Sequence, residues 1–402
     1  MASHFSFVSL AAVLVAAVLG AAGAAGCSGS SKGPAEALTA TGPYAVGKVT
    51  LELRDTSRVT RATANSEEIG HRTLVTDVYY PAAGGSRGEV SEGAAPAADE
   101  GSFPLVVVAH GLFGQRTNFA GTNALLASQG YVVAALDFPL TNFSTFASET
   151  VYLPDLFEQP GDLSFVIDAL TGVAGANLAG GGAVDSALVR IVNPEQIGIF
   201  GHSYGGATVL LTGYSGELVD PRVDALIALS PFSCFFGSET FPGDSAPLLL
   251  IHGSSDAILE AVWSEELHEF LQPPEIYVAM QGGDHMGFTS DPTRPEGERD
   301  LEFFDVVSSS QEAAESTLAD FGLAAIQSVP GVDLGRCALR PLIAEPGTEL
   351  DPAIPLDRQR MLNDAAMILF LDAHVRGNAE TAAGLADKIA ELGAEMQVAE
   401  KN

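Results

Sequence analysis

The sequence predicts an α/β fold with a mostly parallel central sheet and helices on both of its faces. Three features carry this prediction. Short aliphatic runs typical of strands alternate along the 402-residue chain with longer runs of helical periodicity. The run at 104–109 is continuously apolar, as expected of a strand that is covered on both faces. Glycine-rich turns follow several of these runs, at the strand ends where sheets of this class bind ligands.

The predicted elements alternate from residue 46 onward. Pro81 ends the second strand and Gly130 caps the first helix. Residues 82–101 and 143–159 are interpreted as loops. Strands are expected at 46–53, 73–80, 104–109, 131–136, 196–201, 223–229, 247–252 and 275–280. Helices are expected at 117–129, 160–170, after Ser203, and at 259–271, 309–323 and 358–376.

The domain boundaries follow from these elements. Residues 44–377 are expected to form one domain, with an insertion around 290–358 that either shapes the substrate site or packs outside it. Residues 378–402 are predicted to add an amphipathic C-terminal helix. Its apolar face comprises Leu385, Ile389, Leu392 and Met396.

Composition excludes two broad classes of protein. A net charge of −32 with only 19 basic residues argues against nucleic-acid binding, which requires a basic surface. An apolar content of 47% argues against disorder. The sequence also contains neither a phosphate-binding glycine loop nor His/Cys spacing typical of metal sites, so we expect no cofactor and no metal.

The N-terminal segment is typical of a targeting sequence. An apolar run at 8–25 ends in Ala24-Ala25-Gly26, and Cys27 follows directly. Small residues before a cysteine resemble a bacterial lipobox, so residues 1–26 are interpreted as a lipoprotein signal peptide and Cys27 as the lipidated residue. Secretion without lipid and an uncleaved membrane anchor remain alternatives. Residues 27–43 are small and polar and predict a flexible tether.

The remaining two cysteines are consistent with export. Setting Cys27 aside for lipid leaves Cys234 and Cys337, which could form a disulfide in an oxidising compartment. Two buried free thiols remain the alternative.

Residues 196–206 carry the most informative pattern in the chain. Gly201 and Gly205 flank Ser203 in a G-x-S-x-G motif that follows a predicted strand and precedes a predicted helix. This is the context of a nucleophile elbow, a sharp turn that exposes the serine hydroxyl at the sheet edge. A glycine-rich loop with no catalytic role can carry the same motif, so the rest of the site must decide between the two.

A nucleophilic serine needs a histidine base, and the base needs an acid to orient it. In this class of fold the chain order is serine, acid, histidine. Asp256 directly follows the strand at 247–252 and is the predicted acid, in preference to Asp224 and Asp244. His285 follows the strand at 275–280 and two glycines, and is the predicted base.

The other histidines are given non-catalytic interpretations. His268 lies among glutamates and is expected at the surface, and His374 lies near a helix end. Three histidines precede the predicted acid in the chain and are interpreted as structural hydrogen-bonding residues: His110, His202 and His252. Asp284 is interpreted as a residue that stabilises the loop of the predicted base.

Ester cleavage also requires N–H donors for the developing oxyanion. The Tyr204 N–H follows the nucleophile and is the first predicted donor. The second is expected in the glycine-containing loop after residues 104–109, where Leu112 is the preferred donor and Phe113 the alternative.

These motifs as a set resemble the α/β-hydrolase family, and most closely its platelet-activating-factor acetylhydrolase and predicted dienelactone hydrolase branch, which is related to bacterial polyester hydrolases and chlorophyllase-like proteins. The resemblance covers residues 42–377. It is carried by residues 42–47, 55–58, 78–81, 110–112, 201–206, 251–256, His285 and 371–377. Dienelactone hydrolases use cysteine as the nucleophile, so Ser203 argues against that substrate.

The resemblance implies carboxylic ester hydrolysis through an acyl-enzyme on Ser203. By comparison with polyester hydrolases it also implies that Phe232 contacts the substrate, with Phe113 on the opposite wall, although ordinary packing would explain both. The expected function is therefore an exported serine esterase or lipase that acts on a small-molecule or lipid ester. A polyester or peptide hydrolase and a non-catalytic binding lipoprotein are the alternatives.

Overall fold

A mixed sheet with the strand order β11-β10-β9-β8-β7-β4-β5-β2-β1-β3 runs through the protein, and β6 pairs with β1 beside it. The computed structural model describes residues 32–173, 177–241, 246–272, 274–290, 300, 326, 332–337 and 352–401. The strands are β1 Ala45–Asp55, β2 Arg72–Ala82, β3 Val90–Glu92, β4 Phe103–Ala109, β5 Val132–Leu136, β6 Asn177–Leu178, β7 Val192–His202, β8 Ala225–Leu229, β9 Leu248–Gly253, β10 Glu275–Met280 and β11 Met396–Lys401.

The described helices lie on both faces of this sheet. They are α1 Pro34–Leu38, α2 Ala120–Ser128, α3 Phe143–Ala147, α4 Gln159–Thr171, α5 Ser186–Arg190, α6 Tyr204–Tyr214, α7 Val262–Phe270, α8 Leu334–Cys337, α9 Leu356–His374, α10 Ala379–Ala382 and α11 Leu385–Ala390. Within the described residues, no helix combines the length and apolar character that crossing a membrane requires.

The six strands from β5 to β10 in the sheet order pair in parallel, and this confirms the predicted fold class. All seven residues of β4 are buried, because successive side chains enter opposite cores. Leu105 and Val107 pack on the face covered by α4 and α6. Val106 and Val108 pack on the face covered by α2 and α9. The eight predicted strands are all present, with β1 and β2 antiparallel to each other.

The predicted C-terminal amphipathic helix at 378–402 is wrong. Gly384, at a φ of 67°, separates α10 from α11, and the chain then forms β11, which pairs antiparallel with β10 at the sheet edge. The helical spacing identified buried positions correctly, since the four apolar residues that defined the face are at most 4% exposed: Leu385, Ile389, Leu392 and Met396. They are buried by two short helices and a strand instead of one helix.

The prediction of a flexible tether at 27–43 is also wrong for the second half of that segment. Pro34 begins α1, and Ala35 is buried in the core cluster that contains α9. The side chain of Gln129 donates to Leu38 O at 2.7 Å. The loops predicted at 82–101 and 143–159 contain β3 and α3. The helix predicted at 309–323 and most of the 290–358 insertion lie outside the described residues.

A buried ion-pair network joins β2 to the helical layer beneath the elbow. Arg72 is completely buried and its guanidinium donates to Asp155 at 2.8 Å and to Asp162 at 2.7 Å. Asp155 belongs to a short 3₁₀ turn at 153–157, and the Tyr204 hydroxyl donates to Leu153 O in the same turn. The network and this turn therefore link β2 to the first residue of α6.

We expect Arg72→Met to lower the free energy of unfolding by about 3–5 kcal/mol, because it leaves the buried carboxylate of Asp155 without its cation and leaves Asp162 paired with Arg58 alone. Chemical denaturation measures this change. The matched control is Arg61→Met, which removes an exposed guanidinium 2.9 Å from Glu158 and should lose less than about 1 kcal/mol. Equal losses in the two variants would contradict the assignment of Arg72 as the buried anchor.

Candidate active site

Ser203 lies in a strained turn between β7 and α6. Its φ of 57° and ψ of −118° place a side-chain-bearing residue in a region that such residues rarely adopt. A Cβ on Gly205 would lie 2.2 Å from Ala109 O, and one on Gly201 would lie 2.3 Å from Gly205 O. The two glycines are therefore required because backbone approaches backbone at this turn.

Hydrogen bonds from the neighbouring strand hold the strained backbone in place. The Ser203 N–H donates to Leu229 O at 2.9 Å, and Ser203 O accepts from the Phe232 N–H at 2.9 Å. Both partners belong to β8 and the loop after it. Both backbone polar groups of Ser203, its N–H and its C=O, are thus hydrogen-bonded, while its side chain remains partly exposed.

The structure brings the predicted acid and base into contact. His285 Nδ1 lies 2.7 Å from Asp256 Oδ2, and both residues are buried. Asp256 Oδ1 accepts from the N–H groups of Ile258 at 2.9 Å and Leu259 at 2.7 Å. Because β7, β9 and β10 run parallel, Ser203, Asp256 and His285 all follow strand ends at the same edge of the sheet.

The charges around this pair favour a basic histidine beside an ionised carboxylate. Burial pushes the pKa of the Asp256 carboxyl up, but His285 and His252 outweigh burial and hold that pKa below its usual range. Burial lowers the pKa of His285, yet Asp256, with Asp300 and Asp284, raises it above the ordinary value.

Asp224 and Asp284 bind backbone N–H groups elsewhere. Asp224 precedes β8, at the opposite edge of the sheet, and its carboxylate accepts from the Ile197 N–H at 2.8 Å. Asp284 Oδ1 accepts from the Gly287 N–H at 2.6 Å within the loop of the base. Asp244 lies outside the described residues.

Two of the three histidines that precede Asp256 in the chain contact the predicted acid or the predicted base. His202 Nε2 lies 2.9 Å from His285 O, so it donates to the backbone of the base. His252 lies 2.7 Å from Ser264 Oγ and 2.9 Å from Leu259 O, and its Nε2 is 3.3 Å from Asp256 Oδ2.

His110 holds the loop that follows β4. Its Nε2 accepts from the Phe138 N–H at 3.1 Å, so its Nδ1 must carry the proton that is donated to Gly111 O at 2.7 Å. Burial lowers the pKa of His110, which favours this neutral ring.

The two remaining histidines lie apart from the pair. His268 is half-buried and not at the surface as expected, with its ring stacked on Tyr277 and its Nδ1 3.2 Å from Glu275 at the start of β10. The ring of His374 packs on Phe370 in α9.

The glycine-containing loop after β4 lies against Ser203. A Cβ on Gly111 would lie 3.1 Å from Ser203 Cβ, so Leu112 begins directly beside the elbow. The Phe113 N–H donates to Thr141 O at 2.9 Å, and this bond occupies the alternative oxyanion donor. Tyr204 begins α6, where backbone N–H groups have no partner within the helix.

Aromatic rings flank this region. The partly exposed ring of Phe232 lies 6.1 Å from Tyr204 and 5.0 Å from Phe235. Phe113, with a φ of 59°, lies 4.5 Å from Phe146. The two rings follow β8 and β4 respectively, whose carboxyl ends lie on either side of β7.

The structure joins Cys234 to Cys337 in a disulfide. This bond attaches α8 to the loop that carries Phe232, and the Asp333 N–H reinforces the attachment by donating to Phe235 O at 2.9 Å. Cys27 lies outside the described residues. Across the described ranges, no group of three His, Cys, Asp or Glu side chains is arranged to hold a metal ion.

Sequence reasoning missed two buried side chains around the base. Gln359 in α9 accepts from the Asp284 N–H at 3.0 Å and donates to Asp284 O at 2.7 Å. Asp300 accepts from the His285 N–H at 2.8 Å. No local pattern marks either residue, because each meets the loop of the base only through the tertiary fold.

The strain at the elbow has a measurable consequence. Glycine adopts the backbone conformation of Ser203 without steric cost, so we expect Ser203→Gly to be more stable than Ser203→Ala by about 1 kcal/mol. Urea unfolding of both variants provides the comparison. At Ser215, where φ is −99°, the order should reverse and alanine should be the more stable. The same order at both positions would show that the elbow is not strained.

Curated relatives of this chain include hydrolases. Bis(hydroxyethyl) terephthalate hydrolase of Streptomyces coelicolor is 28% identical over 159 residues, which cover 40% of this chain and 42% of that protein. Platelet-activating factor acetylhydrolase of Cavia porcellus is 24% identical over 219 residues, covering 46% of this chain and 48% of that protein. The uncharacterized protein YfhR of Escherichia coli O157:H7 is 29% identical over 118 residues, covering 25% and 42%. The chain thus spans less than half the length of these relatives.

A similar solved structure is a ferulic acid esterase from Streptomyces cinnamoneus. It covers 84% of this chain and 91% of its own, at 20% identity and a TM-score of 0.52, and it shows that the fold is shared. The model of the alpha/beta hydrolase fold family matches residues 104–243, and that of platelet-activating factor acetylhydrolase, isoform II, matches residues 39–151. Together the two models match residues 39–243, which include the loop after β4 and the Ser203 elbow, so the chain has the α/β-hydrolase fold and is similar to platelet-activating factor acetylhydrolase.

Proposed function

We propose that this protein is an exported serine esterase that cleaves carboxylic esters through an acyl-enzyme on Ser203. The observation that carries the proposal is the strained Ser203 elbow at the same sheet edge as a buried His285–Asp256 pair with a 2.7 Å hydrogen bond. A strained backbone conformation persists only where the surrounding structure enforces it, and such positions concentrate at functional sites.

The first half of the reaction forms the acyl-enzyme. His285 Nε2 takes the proton of the Ser203 hydroxyl as its oxygen attacks the ester carbonyl, while Nδ1–H remains donated to Asp256. Asp256 stabilises the imidazolium ion that results. The tetrahedral intermediate carries a negative oxygen, and we assign its stabilisation to the N–H groups of Leu112 and Tyr204. Collapse of the intermediate breaks the ester bond, and His285 returns its proton to the leaving alcohol.

The second half reverses the roles with water as the nucleophile. His285 takes a proton from water, the hydroxide adds to the acyl carbonyl, and the bond to Ser203 Oγ breaks as the proton returns to that oxygen. The products are a carboxylic acid and the free enzyme. Every proton transfer uses His285, whose ring is oriented by the hydrogen bond to Asp256 and whose backbone carbonyl is bound by His202.

We propose that the substrate is a small-molecule or lipid ester with an apolar group beside the scissile carbonyl. The half-exposed rings of Phe113 and Phe232 support this, because they follow the two strands that flank the elbow. A second candidate is polyester hydrolysis, which the name of the Streptomyces coelicolor relative supports. Measuring product release from soluble oligoesters and from solid polymer distinguishes the two candidates, because only polyester hydrolysis predicts release from the solid polymer.

Export to a bacterial cell envelope, with lipid on Cys27, is part of the same proposal. The apolar run at 8–25 directly before Cys27 supports it. The Cys234–Cys337 disulfide supports an oxidising compartment, because such bonds are rare in reducing cytosol.

A fluorophosphonate probe tests the nucleophile. The wild-type protein should be labelled at a single peptide that contains Ser203, and Ser203→Ala should abolish both labelling and the hydrolysis of p-nitrophenyl esters. Ser215→Ala changes a serine at the other end of α6 and should leave both unchanged. Undiminished hydrolysis by Ser203→Ala would refute the acyl-enzyme, and mass spectrometry of the labelled peptide identifies the site.

The pH dependence tests the base. Only the neutral form of His285 accepts the serine proton, and its pKa is raised by Asp256, so activity should fall as pH drops through a value above about 6.5. The acid limb of kcat/KM against pH, measured in a pH-stat with a neutral ester, reports this value. An acid limb near pH 4 would instead indicate a carboxylate base and contradict the assignment of His285.

A further inference from the structure

We infer that Asp300 is a positioning residue that locks the loop of the acid and the loop of the base into one geometry; the inference rests on the serine-esterase function proposed above. Asp300 is 2% exposed. Its Oδ2 accepts from the Ala257 N–H at 3.0 Å and from the His285 N–H at 2.8 Å. A single carboxylate oxygen therefore bridges the residue after Asp256 and the base itself.

The second carboxylate oxygen of Asp300 binds the loop of His285 as well. Its Oδ1 accepts from the Met286 N–H at 2.8 Å, so two consecutive N–H groups at the base bind one carboxylate. Three hydrogen bonds from backbone N–H groups offset the cost of burying the charge. All three come from the two loops that carry Asp256 and His285, so the carboxylate binds the loops that must stay in register for catalysis.

Other contacts between the two loops involve residues that precede Asp256 and His285 in the chain. The Ser255 N–H donates to Gly283 O at 2.8 Å, and the Gly282 N–H donates to Ser254 Oγ at 2.9 Å. These bonds join the loops near the ends of β9 and β10. Asp300 instead binds at His285, where a small movement would change the 2.7 Å bond to Asp256 and the reach of Nε2 towards Ser203.

The charge of Asp300 adds to this positioning role. Among the described residues, the titratable groups that face His285 are Asp256 after β9, His202 at the end of β7, Asp284 in its own loop and Asp300, with His252 behind Asp256. Asp300 is one of the carboxylates that raise the pKa of His285. Burial, followed by repulsion from Asp256, raises the pKa of Asp300 itself to about 6, so it is largely ionised where His285 is neutral and active.

The test compares Asp300→Asn and Asp300→Ala with the wild type in the full-length protein. The asparagine removes the charge and can satisfy the N–H groups with only one oxygen, and alanine removes the whole contact. We expect Asp300→Asn to move the acid limb of kcat/KM about 0.5–1 unit to lower pH, because a negative charge near the imidazolium is lost. We expect kcat of Asp300→Ala to fall about tenfold or more with a smaller change in KM.

The matched control is Asp364→Asn. Asp364 also has a pKa raised by burial, to about 7, and it accepts from Thr122 Oγ1 at 2.9 Å, away from both loops. This variant should keep the wild-type acid limb and kcat. Thermal unfolding of all variants is measured in parallel, and Asp300→Asn decides the matter if Asp300→Ala does not fold.

The outcomes separate the two proposals. A purely structural Asp300 would lower the unfolding midpoint but leave the acid limb and kcat of Asp300→Asn at the wild-type values, and this would overturn the inference alone. A wild-type protein that neither reacts with a fluorophosphonate nor hydrolyses esters at any pH would overturn the proposed function, and the role of Asp300 with it.

Discussion

The close approach of backbone to backbone at the Ser203 elbow is the constraint on which the rest of the site depends. A Cβ on Gly205 would lie 2.2 Å from Ala109 O, so β4 and α6 can meet only at a glycine. This contact brings the loop after β4 beside Ser203, where Leu112 begins. The positions of the proposed nucleophile and of the expected oxyanion donors therefore follow from one packing arrangement. The hydrogen bonds that Ser203 donates to Leu229 O and accepts from the Phe232 N–H stabilise its backbone at the strained φ of 57°.

The loop that carries His285 is held differently, by hydrogen bonds from buried polar side chains. The backbone of Asp284 and His285 is bound by Gln359 from α9, by His202 from β7 and by Asp300. Each of these three side chains is buried and would be costly there without a partner. Their hydrogen bonds remove that cost and give the base a fixed position, so that polar burial and catalytic geometry are satisfied by the same contacts.

The parts of the fold that were predictable from sequence are those determined by periodic burial and by strand direction. Parallel strands bring residues that follow them to a common edge, which is why Asp256 and His285 could be paired across 29 residues of sequence. Periodicity alone could not separate two short helices and β11 from one long helix, because Ile389 and Met396 are buried in either arrangement. Gly384 was the local signal of the break. Gln359 and Asp300 had no such signal, since their partners are backbone N–H and C=O groups of a distant loop.

The clustering of carboxylates around His285 has both a benefit and a limit. In the proposed mechanism, a raised pKa makes the imidazole of His285 a stronger acceptor for the serine proton, but it also increases the fraction of protonated imidazole, which cannot accept that proton. The two effects oppose each other, so the useful position of the pKa is near the working pH. The protein has a net charge of −32, so carboxylates are abundant, and their positions relative to the imidazole determine their effect on its pKa. The imidazoles of His285 and His252 keep the Asp256 carboxylate ionised, and the N–H groups of Ile258 and Leu259 fix its position. Holding Asp300 through N–H groups beside the imidazole lets the same bonds set both the basicity of His285 and its position.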